Sequence, residues 1–282
     1  MSDLFSLGGE LPVHRLGFGA MRLPSQGGMF GEPRDPETGR AVLRRAVELG
    51  VDHIDTADFY ISGDGAVRAN SLIREALSPY PEGLTIATKV GPLFHEGGFT
   101  HGGPGDLRRL VEGNLDTLGV DRLDLLYLRI GGMQVPHGES LAARFEALAA
   151  LREEGLIRHL GVSNVDAAQL AEARTIAPVA AVQNLYHAGR RDDAEVLGVC
   201  EAAGIAYVPF FPVGGGHSST GPRLAKAAAR HGVSVPRMAL AWLLASSPVM
   251  LPIPGTGSVE HLEDNMAAAE VVLDEEELRE MA

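Results

Sequence analysis

The feature that most constrains this chain is a repeated unit, in which a short β-branched strand is followed by a turn and an amphipathic helix. Strands are predicted near residues 16–19, 52–55, 84–89, 123–128, 157–161, 179–183, 205–210 and 249–253. Helices are predicted at about 37–49, 67–77, 105–118, 140–154, 166–176, 192–203, 222–231 and 235–245. This alternation indicates parallel strands with helices outside them. Eight units in about 270 residues fit a closed (β/α)8 TIM barrel better than an open sheet.

A β-hairpin is predicted at residues 4–15, ahead of the first unit, and extra helices are expected after the last strand. The length of 282 residues and the apolar content of 45% would suit one large barrel or two ordinary domains. The glycine-rich segments 97–105 and 214–216 fall inside the repeat, so we predict one barrel domain over residues 1–282. The first strand is not followed by Gly-x-Gly-x-x-Gly, which argues against a Rossmann fold.

Composition narrows the partners and the compartment. A net charge of −13 argues against nucleic acid or an anionic membrane surface as a partner. The sequence has no apolar run of about 18 residues and no basic stretch followed by an apolar core at its start, so neither export nor membrane insertion is predicted. The only cysteine, Cys200, allows no internal disulfide. We therefore predict a cytoplasmic protein. No His-x-x-x-His or Cys pair suggests a metal site, so none is predicted, and a monomer or small homo-oligomer is expected.

Three ionisable residues follow strand ends, where a barrel enzyme keeps its chemistry. Asp55 and Tyr60 lie where one apolar strand gives way to a loop, and Lys89 ends another strand. A phenol with a free pKa of about 10 donates a proton poorly near neutrality, but a buried ammonium beside it draws the pKa downward. We therefore predict that Tyr60 donates a proton, Lys89 lowers its pKa and Asp55 holds Lys89. Alternatively, Asp55 caps a turn, Tyr60 packs and Lys89 lies on the surface.

Polar and glycine-rich strand ends could bind a carboxamide and an anion. Ser163, Asn164 and Gln183 could bind a carboxamide, although in isolation the first two are more often helix caps. The glycines at 214–216 could form a merely flexible loop. A glycine-rich turn at 255–258 precedes a predicted helix N-terminus, an arrangement that binds anions.

At these residues the chain resembles the aldo-keto reductase superfamily, whose strand-end motif is Asp-Thr-Ala-x-x-Tyr followed by Thr-Lys. The resemblance implies a (β/α)8 barrel and an NADPH-dependent carbonyl reductase. It also implies that the Ser163-Asn164 pair and Gln183 hold the nicotinamide amide and that Phe210 stacks on the ring. The glycines at 214–216 would then let backbone amides reach the pyrophosphate. The segment from Gly255 would bind the 2′-phosphate and adenine, with His261 where the family has arginine and Asp264 where it has glutamate. A histidine is only partly charged at neutral pH, which weakens the preference for NADPH over NADH.

The residues expected to bind the cofactor are therefore Gly19, Met21, Arg22, Asp55, Ser163, Asn164, Gln183, Phe210, Phe211, Pro212, Val213, Gly214, Gly216, Gly255, Thr256, Gly257, Ser258, His261, Asp264 and Asn265. Arg22 could contact the cofactor or close the pocket. The residues expected to be catalytic are Tyr60, Lys89, Asp55 and Arg129.

Arg129 departs from the superfamily, which has a histidine at this strand end. An arginine offers several donors and a permanent charge, so we predict that it polarises the substrate oxygen and helps Lys89 lower the pKa of Tyr60. Alternatively, it turns away into a surface ion pair. With Arg129, the stretches 30–35, 208–212, 253–256 and 265–268 resemble the bacterial pyridoxal reductase branch. Pyridoxal carries a phenolic oxygen beside its carbonyl, and one guanidinium could hold both oxygens.

The sequence thus predicts reduction of an aldehyde, with pyridoxal converted to pyridoxine as the preferred reaction. One alternative is a reductase of another aldehyde or ketone in specialised metabolism, with the same residues. Another is a slow-turnover, NADPH-sensing binding protein on the same barrel, like the potassium-channel β subunits.

Overall fold

The computed structural model describes residues 3–95, 98–214 and 221–281. Its strands, in chain order, are β1 (Leu4–Leu7), β2 (Leu11–His14), β3 (Phe18–Gly19), β4 (His53–Asp55), β5 (Thr85–Val90), β6 (Pro92–His95), β7 (Gly98–His101), β8 (Leu123–Arg129), β9 (Ile157–Ser163), β10 (Val179–Leu185) and β11 (Ala206–Phe210).

The helices, in the same order, are α1 (Pro36–Glu48), α2 (Ala69–Leu77), α3 (Pro104–Leu118), α4 (Ala142–Glu153), α5 (Ala167–Ile176), α6 (Ala194–Ala203), α7 (Pro222–His231), α8 (Val235–Ser246), α9 (Val259–Met266) and α10 (Glu275–Met281). Short 3-10 helices span Ala20–Arg22 and Ala267–Glu270. Local chemistry sets several ends: Asp35 caps α1 by accepting from the backbone of Glu37 and Thr38, and Gly119 ends α3 in the left-handed conformation.

Seven parallel strands form one sheet in the order β11-β10-β9-β8-β5-β4-β3. The segment 249–254 joins its two edges, because Tyr207 of β11 exchanges backbone hydrogen bonds of 2.8 Å with Val249 and Leu251. On the other edge, the N–H groups of Gly17 and Gly19 donate to carbonyls of that segment, at 3.0 and 3.2 Å. Its prolines, Pro252 and Pro254, cannot donate to a ladder, which explains its irregular pairing. The sheet is thereby closed, and the predicted (β/α)8 barrel is confirmed.

Alternate residues of the strands enter two separate hydrophobic clusters. Leu126, Leu128, Val162 and Val182 pack against the helices, whereas a second cluster fills the barrel interior and contains Leu7, Val13, Ala87, Leu125, Tyr127, Ala180, Ala181, Ala206, Val208, Leu251 and Ile253. Because Leu7 and Val13 belong to the β1–β2 hairpin, this hairpin contributes to the interior core. The predicted N-terminal hairpin is confirmed.

The helices and the first seven strands lie within a few residues of their predicted bounds. The predicted strand at 249–253 is wrong as a regular strand, because only an isolated bridge between Tyr207 and Met250 forms there. The sequence analysis missed the antiparallel hairpin of β6 and β7, in which Leu93 pairs with Thr100 and Phe94 with Phe99. It treated this region as a glycine-rich loop. In the described residues, no helix is long and apolar enough to cross a membrane.

Candidate active site

Residues at the carboxyl ends of six strands provide five polar side chains and one aromatic ring to the site. They are Asp55, Lys89, Arg129, Ser163, Gln183 and Phe210. On β5, β8 and β11 these residues share the parity of the interior cluster. The strand register puts Arg129 beside Ser163, and Ser163 beside Gln183. Because parallel strands end at the same face, residues distant in sequence meet there, as barrel enzymes require.

Asp55, Tyr60, Lys89 and Gln183 form a buried group that we call the strand-end cluster. The ammonium of Lys89 donates to Asp55 Oδ1 at 2.5 Å and to the Thr56 carbonyl at 2.9 Å. Gln183 Nε2 donates to the other carboxylate oxygen of Asp55 at 2.7 Å. Asp55 and Lys89 are only 3% and 2% exposed. The two charges are thus paired and hydrogen-bonded, which is what burial of charges requires.

Tyr60 lies against this pair from the loop that follows β4. The Lys89 nitrogen is 4.9 Å from the centre of the Tyr60 ring. Burial raises the pKa of Tyr60 above its usual 10, while the charge and hydrogen bond of Lys89 and the charge of Arg129 lower it. The net direction is upward, so the prediction that a neighbouring cation draws this pKa toward neutrality is wrong. The individual effect of Lys89 has the predicted sign, and the phenol keeps its proton at neutral pH.

A second buried hydrogen-bond network joins the ends of β4 and β5 to helices α2 and α3. Thr56 donates to Asn70 at 2.8 Å, and Thr88 donates to Asn114 of α3 at 2.6 Å. Asn70 also donates to Asn114 at 3.1 Å, which links the two halves. Because Thr56 and Thr88 are direct neighbours of Asp55 and Lys89 in the chain, the network restrains the backbone that carries the strand-end cluster.

Arg129 turns into the site and does not form a surface ion pair. Its guanidinium donates to Ser163 Oγ at 3.2 Å and to the Gly132 carbonyl at 2.7 Å, and lies 4.7 Å from the centre of the Phe210 ring. Burial lowers its pKa from the usual range, and the charges of Tyr60 and Asp55 oppose that shift. An arginine remains charged at any working pH. Arg129 therefore brings a fixed cation to the site, close to the phenol.

The strand-end cluster opens into a cavity of about 770 Å³. Residues from the barrel top and from the loops line it: Gly19, Met21, Arg22, Met29, Arg34, Asp55, Phe59, Tyr60, Lys89, Pro92, Phe94, Phe99, Arg129, Gly131, Gly132, Met133, Gln183, Phe210, Phe211, Pro212, Val213, Ile253, Gly255, Thr256, Gly257, Ser258 and His261. The four residues predicted to be catalytic all line it. So do most of those predicted to bind the cofactor.

One side of the cavity is apolar, and we call Met29, Phe59, Phe94, Phe99 and Met133 the aromatic wall. Phe59 packs edge-on against Tyr60 with ring centres 5.3 Å apart, and Phe94 lies 5.3 Å from Phe59. The β6–β7 hairpin brings Phe99 next to Phe94, at 5.7 Å. Sequence reasoning missed Phe94 and Phe99, although two short runs flanking a Gly-Gly pair are a hairpin signal.

The opposite end of the cavity is bordered by Gly255–Ser258, which we call the glycine loop. A side chain at Gly255 would come within 2.5 Å of the Gly19 carbonyl, so the backbones of two strand ends meet here directly. Ser258 caps α9, with its hydroxyl accepting the N–H of His261. The side chain of Arg34 lies over Gly257. This end therefore offers backbone donors, a helix N-terminus and a cation, the groups that bind phosphate.

Several residues predicted to bind the cofactor lie outside the lining. Asn164 donates to the carbonyls of Ile130, Gly132 and Gln134, so its amide nitrogen fixes the loop after β8. Asp264 pairs with Arg237 at 2.8 Å and accepts the hydroxyl of Ser234. The lining also lacks Ser163, Gly214 and Asn265. Gly216 lies outside the described residues, and the roles of all six toward a cofactor stay predictions.

The cavity suits a dinucleotide. At one end, Gln183 offers a carboxamide and Phe210 offers a ring on which a nicotinamide could stack. At the other end, the glycine loop offers groups that bind phosphate. The two ends therefore match the nicotinamide and the phosphate-bearing adenosine of such a cofactor. The described residues contain no group of three or more His, Cys, Asp or Glu side chains that could hold a metal ion.

A phenol, an ammonium and a carboxylate thus face one cavity at the strand ends of a (β/α)8 barrel. The model of the "Aldo/keto reductase family" matches residues 15–282, and the chain belongs to that family. The predicted resemblance is therefore confirmed.

The chain is similar to several members of this family. It is 45% identical over 281 residues to "Pyridoxine 4-dehydrogenase" of Escherichia coli, with 98% of this chain and 96% of the relative covered. It is 41% identical to an uncharacterised oxidoreductase of Schizosaccharomyces pombe, covering 95% and 85%. An aldo-keto reductase from Klebsiella pneumoniae, solved in complex with NADPH, superposes with a TM-score of 0.83 at 26% identity, covering 100% and 94%. These findings confirm the prediction of an oxidoreductase.

Proposed function

We propose that this protein reduces aldehydes with NADPH and that pyridoxal, converted to pyridoxine, is its preferred substrate. The observation that carries this proposal is the guanidinium of Arg129, which lies in the cavity with the Tyr60 phenol. The cofactor is supported by the NADPH complex of the Klebsiella pneumoniae relative. The substrate is supported by the name of the 45% identical Escherichia coli relative.

The strand-end cluster supplies the proton. NADPH, when bound, supplies the hydride that is added to the carbonyl carbon. Tyr60 gives its proton to the carbonyl oxygen, so that an aldehyde becomes a primary alcohol and a phenolate remains. The ammonium of Lys89 stabilises that phenolate, and Asp55 balances the charge of Lys89 at 2.5 Å. Because these side chains are positioned before the reaction, little reorganisation opposes the transfer.

The chain's own residues would hold the cofactor along the cavity. Gln183, Phe210 and the Ser163-Asn164 pair are proposed for the nicotinamide end. Phe211 to Gly214 are proposed for the pyrophosphate. The glycine loop and the first turn of α9 are proposed to bind the adenosine part of the cofactor. Met21 and Arg22 are proposed to contact the cofactor between its two ends.

The substrate end favours a planar ring with two neighbouring oxygens. The aromatic wall offers flat apolar surfaces to such a ring. In pyridoxal a hydroxyl group stands next to the aldehyde on the ring. The fixed donors of Arg129 could bind both oxygens together, which a histidine at this position could not do.

Two aldehydes test this role of Arg129. Salicylaldehyde has the neighbouring hydroxyl and benzaldehyde lacks it, so their ratio of kcat/KM measures recognition of the second oxygen. We expect wild type to prefer salicylaldehyde and Arg129→Met to lose about 10- to 100-fold of that preference, because a charge-assisted hydrogen bond contributes about 1.5–3 kcal/mol. An unchanged ratio in Arg129→Met would contradict the proposed substrate class.

The proton donor is tested separately, with loss of NADPH absorbance at 340 nm. Tyr60→Phe keeps the ring that packs against Phe59 and removes only the hydroxyl. We expect a fall of about 10²- to 10⁴-fold in kcat with pyridoxal, the usual contribution of general acid catalysis. Turnover at the wild-type rate would rule out the proposed chemistry.

We also propose that the protein works in the cytoplasm, as a monomer or small homo-oligomer. Support comes from Cys200, a buried free thiol. Burial raises the pKa of this thiol to about 12, so it stays protonated and unreactive. A chain that needs no disulfide suits a reducing compartment.

A further inference from the structure

We propose that Arg34, in the loop before α1, supplies the main cation that binds the 2′-phosphate of NADPH. This inference rests on the proposed function, because it assigns a residue to the cofactor named there. The superfamily has an arginine where this chain has His261, so a permanent charge for the 2′-phosphate has to come from another position.

Arg34 is held over the glycine loop. Its backbone N–H donates to the Pro24 carbonyl at 2.9 Å, and its Nε donates weakly to the Arg22 carbonyl at 3.4 Å. A Cβ placed on Gly257 would lie 2.4 Å from the Arg34 Cζ. The absence of a side chain at 257 is therefore what lets the guanidinium lie at this end of the cavity, which both residues line.

Arg34 also differs from other arginines nearby in its charge partners. Arg40, Arg44 and Arg45 of α1 each pair with glutamate, at 2.6–3.0 Å. Within residues 3–95, 98–214 and 221–281, the Arg34 guanidinium forms no ion pair. The neighbouring Asp35 uses its carboxylate to cap α1. In a chain with a net charge of −13, an arginine without a carboxylate partner in the cofactor cavity fits an anionic ligand.

The acidic groups of α9 that would repel an anion here are engaged elsewhere or turned away. Glu263 accepts from Arg45 at 2.8 Å, and Asp264 pairs with Arg237 at 2.8 Å. Glu260 is exposed and is not part of the lining. His261 does line the cavity, but its side chain is exposed and a histidine is only partly charged near neutrality. A guanidinium carries a permanent charge and can bind phosphate with two parallel hydrogen bonds.

A guanidinium in this place could instead stack on the adenine ring, and binding experiments separate the two roles. The probes are 2′,5′-ADP, which carries the 2′-phosphate, and 5′-AMP, which shares the adenosine and lacks it. Isothermal titration calorimetry gives both dissociation constants without catalysis. Arg34→Gln keeps a polar side chain and removes the charge. Arg44→Gln is the matched control, since it removes a charge that lies on α1 outside the cavity lining.

We expect Arg34→Gln to raise the dissociation constant of 2′,5′-ADP by about 10- to 100-fold and that of 5′-AMP by less than about threefold. Arg44→Gln should change neither dissociation constant. Arg34→Lys keeps the charge but not the paired donors, so its dissociation constant for 2′,5′-ADP should lie between those of wild type and Arg34→Gln. Equal weakening of both nucleotides would assign Arg34 to the adenine and overturn the proposal, and so would unchanged binding of both. Unfolding curves of each variant exclude a folding defect. Because the Tyr60→Phe assay depends on turnover alone, failure of the proposed reaction would be seen separately.

Discussion

The two ends of the cavity are built differently. The strand-end cluster lies on β4, β5 and β10 or directly after β4, and its charges are paired at 2.5–2.9 Å out of contact with water. The phosphate end is assembled from loops and the first turn of α9, where Arg34 is half-buried and His261 is exposed. One end is a buried cluster whose charges are paired, whereas the other is built on half-buried and exposed side chains.

This difference predicts how each end responds to change. Removing one member of a buried pair leaves a charge without a partner, which lowers both the free energy of unfolding and the turnover. Removing a charge at the open end costs only the interaction with the ligand, because water replaces it. The first end should therefore be intolerant of substitution and the second should be adjustable.

The largest effect is expected for Lys89→Met. Asp55, 3% exposed, would lose its cation and keep only the bond from Gln183. We expect a loss of about 3–5 kcal/mol in the free energy of unfolding, the usual result of breaking a buried ion pair, measured by urea denaturation. Turnover should fall together with stability, because the Tyr60 phenolate would lose its stabilising charge.

The double variant Lys89→Met/Asp55→Asn separates the two consequences. Replacing both charges removes the unpaired carboxylate, so most of the stability should return while turnover stays low. If Lys89→Met alone were as stable as wild type, the strand-end cluster would not be the end of the cavity that is intolerant of substitution. If the single variant cannot be purified, recovery of the fold in the double variant carries the same information.

A smaller effect is expected in the pH dependence of turnover. Burial raises the pKa of Tyr60 above 10, so the phenol is protonated throughout the neutral range. Reduction needs this proton, and its kcat at saturating cofactor should therefore be flat between about pH 6 and 9 and fall only above the raised pKa. Oxidation of the alcohol needs the phenolate and should rise about tenfold per pH unit over the same range. A reduction rate that falls between pH 7 and 9 would contradict the raised pKa.

The same difference explains what the sequence could predict. The strand ends were predictable because the repeat fixes which residues face inward, and a parallel barrel brings every strand end to one face. Asp55, Lys89 and Gln183 were identified in this way, whereas Arg129 was identified from the resemblance to the aldo-keto reductase superfamily. The net shift in the pKa of Tyr60 was not, since it depends on how deeply the ring is buried, and no local pattern reports that.

The loops were less predictable, for a physical reason. Arg34 lies 223 residues from Gly257 in the chain, and only the closed barrel brings the two together. The amide nitrogen of Asn164 donates to three carbonyls of the loop after β8, a contact that the sequence did not predict. Neither contact follows a periodicity, because loop conformation is decided by tertiary contacts. Side-chain chemistry in loops thus indicates what a residue can bind, but not which partner it meets.

The smallest expected effect tests the adjustable end. His261→Arg restores the superfamily's arginine at an exposed position that lines the cavity. If Arg34 already binds the 2′-phosphate, a second exposed cation should tighten 2′,5′-ADP by only about two- to fivefold, the usual range for an exposed charge pair. The increase in affinity for 2′,5′-ADP should be larger in the Arg34→Gln background, where the phosphate lacks its main partner. Titration calorimetry on the four combinations measures this coupling. Gains of the same size in both backgrounds would mean that the two residues do not bind the same phosphate.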